Sequence, residues 1–111
     1  MRLRGAVIDT AIQIHRQLGP GLLESVYRKV LAYELRKRGF RVVEEQPNPV
    51  VWEDMHLELG FRADLIVNNV VIVETKSVEA VPPVYKKQVL THLRLTDKRV
   101  GLLINFNVEL L

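Results

Sequence analysis

With 111 residues, 16 Lys and Arg against 13 Asp and Glu, the chain has the length of one domain, residues 1–111, and a formal net charge of +3. The lack of cysteine excludes disulfides, thiolate metal sites and cysteine nucleophiles, and no stretch approaches the ~20 apolar residues that span a bilayer. The expectation is a cytoplasmic protein with no membrane role and a mild lean toward polyanions, its bases clustered at Arg36–Arg38, at Lys86 and Lys87, and at Arg94, Lys98 and Arg99.

From Leu3 to Leu18, Val7, Ala11, Ile14 and Leu18 recur on one face of a helix, and "LGPGL" ends it, since Pro20 cannot continue the ladder and Gly19 and Gly21 permit a tight turn. A second helix is predicted over about Leu22–Arg38, with Tyr27, Leu31 and Leu35 inward and Gly39 as its C-terminal cap. "FRVVEEQ" and "PVVW" read as two extended segments separated by Pro47 and Pro49, with "EDMH" as a turn and Trp52 as a packing residue. "LELGFRADLIV" reads as a long strand that Gly60 bends or bulges, and Asn68 and Asn69 supply hairpin chemistry before "VIVETKSV". A third helix over about Val84–Leu95 follows Pro82 and Pro83. The apolar run "RVGLLINF" then predicts a strand covered on both faces. The element order is α-α-β-β-β-α-β.

Glu74 and Lys76 interrupt an otherwise buried strand pattern and, two residues apart, point to one face with Ile72. A three-residue loop, Asn68–Val70, pairs Val67 with Val71 and carries Asp64 opposite Glu74, whereas a two-residue loop sends Glu74 to the other side. Two carboxylates facing each other repel, so the first register calls for a cation. Hard divalent ions such as Mg²⁺ take one or two carboxylates, with carbonyl, water and phosphate oxygens filling the remainder. Asp64, Glu74 and the Thr75 carbonyl are the candidate ligands, and Lys76 is placed to hold an attacking water or neutralise charge on a phosphoryl group. The plain alternative is an ion-pair patch on a surface hairpin. His15 and His56 lack metal-ligand spacing, which argues against a zinc site.

The D-(x)9-E-T-K pattern formed by Asp64, Glu74 and Lys76 resembles the signature of the PD-(D/E)XK nuclease superfamily. "GLLESVY", with Gly21, Glu24 and Tyr27, resembles the motif that names its GxxExxY family, and "GFRADLIV", "VETKSVE", "QVLTHLRLT" and "VGLLINF" follow in that family's order. The resemblance covers almost the whole chain. It implies an α/β fold with a restriction-endonuclease-like core, a central mixed four-stranded sheet flanked by helices. It also implies Mg²⁺-dependent hydrolysis of phosphodiesters, most often in DNA, with Mn²⁺ as a substitute ion. By that resemblance Glu24 is a third metal ligand on a helix, and Gln88 is the helix glutamine beside the lysine. Where several branches place a tyrosine four residues after that glutamine, this chain has His92, and the superfamily's proline is replaced by Ala63.

The catalytic set expected is therefore Glu24, Asp64, Glu74, Lys76 and Gln88, with Lys86, Lys87, His92 and Arg94 facing nucleic acid. Tyr27, on the apolar helix face, is expected in the core. So small a domain has little surface with which to grip a duplex, and a homodimer or a partner protein would supply it. Two other readings use the same residues: a nucleic-acid-binding or regulatory module that keeps the fold without turnover, and a protein-association domain whose "INFNVELL" segment forms an edge strand.

Overall fold

The computed structural model describes residues 2–96, 98 and 100–108. Three helices, α1 (Arg2–Leu18), α2 (Glu24–Lys37) and α3 (Pro83–Thr96), flank a sheet of β1 (Val42–Trp52), β2 (Met55–Val67), β3 (Val71–Lys76) and β4 (Val100–Asn105). The strands lie in the order β1-β2-β3-β4; the first two pairings are antiparallel and β3–β4 is parallel. This is the expected α/β, mixed four-stranded architecture, in the expected element order.

α1 and α2 cover one face. Val7, Ala11, Ile14, Tyr27, Leu31 and Leu35 pack there against Leu65, Val67, Val71, Val73 and Phe106. α3 covers the other face, where Leu93 packs on Ala63, Ile66 and Ile72. β3 is consequently apolar on both sides, and Val71, Ile72 and Val73 are all fully buried.

The "LGPGL" turn is held by Tyr27. Its hydroxyl donates to the Gly19 carbonyl at 2.5 Å and accepts from the Leu22 N–H at 3.1 Å, while its ring stacks on Phe106 with centroids 4.4 Å apart. Leu23, at the N-cap, makes no side-chain cap bond, so this tyrosine, reaching back from inside α2, fixes the entry to the helix. Gly19 and Gly21 take φ of 71° and 102°, which explains why glycine stands at both positions. At the other end Gly39, φ 96°, donates to the Arg36 carbonyl as the expected cap.

Three expectations need correcting. "FRVVEEQ" and "PVVW" form one strand, because β1 lies at the sheet edge and prolines are tolerated where no partner needs their N–H; the register shifts between Asn48 and Val50, around Pro49. Trp52 does not pack. β3 pairs with β2 only over Leu65–Val67, so the far part of β1 and β2 projects as a two-stranded ribbon, with Trp52 68% exposed near its Glu53–Asp54 turn. β4 is half-buried and not fully covered, because it forms the second edge of the sheet. Gly60 lies in the irregular part of β2, where a Cβ would stand 2.1 Å from a Val50 methyl, so the chain has room only for glycine there.

Candidate active site

Asn68 and Asn69 adopt φ of 51° and 57°, and the Val70 N–H bonds to the Val67 carbonyl at 3.0 Å, closing the three-residue loop. Val67 pairs with Val71, Ile66 with Ile72 and Leu65 with Val73. The same count carries Asp64 to Glu74. Paired strand residues stop at Leu65, and beyond that point the Asp64 carboxylate replaces the ladder, accepting from the Thr75 N–H at 2.7 Å and the Thr75 hydroxyl at 3.1 Å. A strand residue's N–H and C=O point to the same side, so the Thr75 carbonyl also faces β2, beside Asp64.

Glu74 points to the α3 face and is 7% exposed. Burial, and then the charge of Asp64, push its pKa up to about 8; the Lys76 ammonium opposes them. His92 Nδ1 lies 3.1 Å from Glu74 Oε1, and its ring stacks on Phe61 at 4.0 Å. Burial lowers the His92 pKa, and Asp64 pulls the other way. At neutral pH the contact is thus a hydrogen bond between a protonated carboxyl and a neutral imidazole, although its distance is that of an ion pair. The carboxyl O–H donates and Nδ1 accepts.

Lys76, half-buried at the end of β3, sits with Nζ 4.4 Å from the centroid of the Tyr85 ring on α3. Glu24, in the first turn of α2, accepts from the Ser77 N–H at 3.2 Å, and the Ser77 hydroxyl donates to the Leu22 carbonyl at 2.9 Å. Sequence motif and strand end are thereby joined, with Glu24 one residue past Lys76. Among the described residues no three His, Asp or Glu side chains converge into a metal-holding group. Asp64 and Glu74 stand together, and Glu24 stands apart on Ser77. Gln88, Lys86, Lys87 and Arg94 are exposed on α3. None of these four makes a hydrogen bond or ion pair to the acids among the contacts of the described residues.

The donor set nonetheless fits a hard divalent cation: two carboxylates and a carbonyl, all oxygen, with a buried acid kept neutral because the chain places too little positive charge beside it. Sequence reasoning placed His92 on nucleic acid and overlooked its bond to Glu74. The signal available was position, since α3 crosses the face that Glu74 shares with Ile72, and the apolar residue Leu93 adjoins His92. Tyr85 as the seat of Lys76 had no signal of its own.

Comparison with curated proteins and with solved structures gave no match. No helix among the described residues is long and apolar enough to cross a membrane. A family model describing the PD-(D/E)XK nuclease superfamily matches residues 1–111, spanning the helix that carries Glu24, the Asp64–Glu74 strand pair, Lys76 and α3, and on that match the chain belongs to the PD-(D/E)XK nuclease superfamily.

Proposed function

We propose that the protein is a Mg²⁺-dependent nuclease that hydrolyses phosphodiester bonds in DNA, of the GxxExxY type within its superfamily. The observation that carries this reading is the pairing of Asp64 and Glu74 around Thr75, in which a buried carboxyl lacks the positive charge it needs to ionise. Asp64, Glu74 and the Thr75 carbonyl would hold the ion, and Glu24 would join them through a water or by a rotation away from Ser77. A bound divalent ion supplies polarisation of the phosphoryl oxygen and neutralisation of charge on the leaving oxygen.

The chain's own residues do the rest. Lys76 projects to the face of Glu74, where its ammonium orients the attacking water and offsets charge developing on the phosphate. Tyr85 holds the ammonium over its ring and so restricts the positions it samples. Glu74 would release its proton to solvent as the site is loaded, and a neutral His92 in the Nδ1–H tautomer would then donate to Glu74 Oε1 and keep the carboxylate aligned with Asp64. Gln88 orients the phosphate or Lys76, and Lys86, Lys87 and Arg94 meet the nucleic-acid backbone from the exposed side of α3.

A non-catalytic binding module is favoured by one observation, the engagement of Glu74 Oε1 by His92. Calorimetric titration of Mg²⁺ and Mn²⁺ into wild type and Asp64→Asn, together with cleavage of branched, duplex and single-stranded DNA, separates the two readings. Metal heat and cleavage lost together in the variant support the nuclease. DNA binding without metal heat or cleavage in the wild type supports the module.

A further inference from the structure

The two edges of the sheet are built differently. β1 carries the devices that keep edges from pairing: left-handed backbone at Glu45, prolines at 47 and 49, and charges at Glu44 and Glu45. β4 carries none of them. Over Val100–Asn105 it has no charge, no proline and no positive φ outside glycine.

The direction of its free hydrogen-bonding groups follows from one bond. The Phe106 N–H donates to the Lys76 carbonyl at 2.8 Å, and Lys76 pairs with Asn105. Backbone groups alternate sides along a strand, so Leu102 and Ile104 turn theirs toward β3, while Gly101, Leu103 and Asn105 turn N–H and C=O outward. No hydrogen bond among the described residues reaches those six groups. A groove of about 290 Å³, lined by Ile8, Ala11 and Ile12 of α1 and by residues 102–105 of β4, runs beside them.

We infer that β4 pairs antiparallel with β4 of a second copy of this chain, about a two-fold axis at Leu103. The outward residues are symmetric about Leu103. Gly101 of one copy opposite Asn105 of the other, twice over, and Leu103 opposite Leu103 therefore satisfy all the outward groups with six hydrogen bonds, and the Leu103 pair is a hydrogen-bonded one with Cα atoms about 5.5 Å apart. An uncharged strand meets no like charge in its own copy. A two-fold axis perpendicular to the sheet also sets both α1 helices on the same side, so the two grooves join over the Leu102–Ile104 pairs and Ile8, itself exposed, gains cover. A foreign extended peptide could make the same backbone bonds, but nothing along β4 selects its side chains by charge. The inference does not depend on the nuclease reading.

Light scattering of the eluting protein, together with thiol cross-linking, tests it. Wild type is expected at twice 12.8 kDa. Leu103→Pro, which removes only an outward N–H, is expected at the mass of one chain with an unchanged circular dichroism spectrum. Because the chain has no cysteine, Leu103→Cys presents a single thiol at the axis and is expected to link most chains under mild oxidation, whereas Val43→Cys on β1 stays unlinked. A monomeric wild type at its highest soluble concentration overturns the inference, and capture of a foreign extended peptide by that monomer would assign the edge to another protein. A dimer that Leu103→Cys fails to link also overturns it, by placing the interface elsewhere. None of these readouts uses cleavage, so they stand whether or not the protein cuts DNA.

Discussion

Replacing Glu74 by Gln is expected to stabilise the metal-free protein at alkaline pH. In the folded chain the Glu74 carboxyl titrates at about 8, against 4.5 for a solvated glutamate. Below pH 4.5 it is protonated in both states and the shift has no effect. Between 4.5 and 8 the folded state keeps a proton that the unfolded state has released, so stability falls as pH rises, by about 1.4 kcal/mol per unit, and levels off above 8. The full penalty is on the order of 5 kcal/mol. His92 acts in the opposite window: its lowered pKa costs stability only as pH falls below 6.5. Urea unfolding at pH 6.5 and pH 9 therefore isolates Glu74. Wild type should lose about 2 kcal/mol between those points, while Glu74→Gln, which is isosteric and neutral, should lose almost none and exceed wild type at pH 9. Saturating Mg²⁺ at pH 9 should restore wild type and leave the variant unchanged, because the ion supplies the missing positive charge. Equal pH slopes in the two proteins would refute the reasoning, since a Glu74 that ionises freely has neither the burial nor the carboxylate neighbour described.

Tyr27→Phe removes a buried hydroxyl that serves Gly19 and Leu22, leaving their carbonyl and N–H unpaired, and should lower unfolding free energy by about 1–3 kcal/mol in a urea titration. Gly101→Ala would bring a methyl to 2.5 Å from Val89 on α3, so a loss of about 1–3 kcal/mol is expected, measurable as a lower thermal midpoint. Lys76→Met keeps the length of the side chain and removes its charge; calorimetry should find Mg²⁺ still bound, while single-turnover cleavage slows by roughly 10²–10³-fold. A variant that cleaves at the wild-type rate would leave Lys76 with a packing role against Tyr85.

Much of the fold was legible because period and punctuation agree in the helices and at the Asn68–Asn69 loop. Val7, Ala11 and Ile14 recur as a helix face, Gly39 ends α2, and two left-handed asparagines close a loop of the expected length. What misled was position within the sheet. Pro47 and Pro49 look like breaks until β1 is known to be an edge, and the apolar run of β4 suggests two covered faces although the strand is half-buried at the other edge. Trp52 was unreadable for a related reason: nothing local to residue 52 says that β3 stops short of the ribbon that carries it. Within the site, Asp64, Glu74 and Lys76 follow from counting along paired strands. The separation of Glu24 from the acid pair and the bond of His92 to Glu74 depend on how α2 and α3 dock, which no single segment encodes.

The three-residue loop has a consequence for which changes of length the gene can tolerate. Val71, Ile72 and Val73 are apolar on both faces of β3, so burial alone does not choose between registers, and a slipped strand would still hide its side chains. The choice falls to Asn68–Val70. Removing one residue there leaves Val67 opposite Val71 only if the turn contracts to two residues; if the three-residue turn persists, Val71 enters the loop, Thr75 comes opposite Asp64 and Glu74 turns toward α1 and α2, where it meets apolar side chains. A stretch with no chemistry of its own, four residues from either acid, therefore tolerates a change of length only where the turn itself absorbs it.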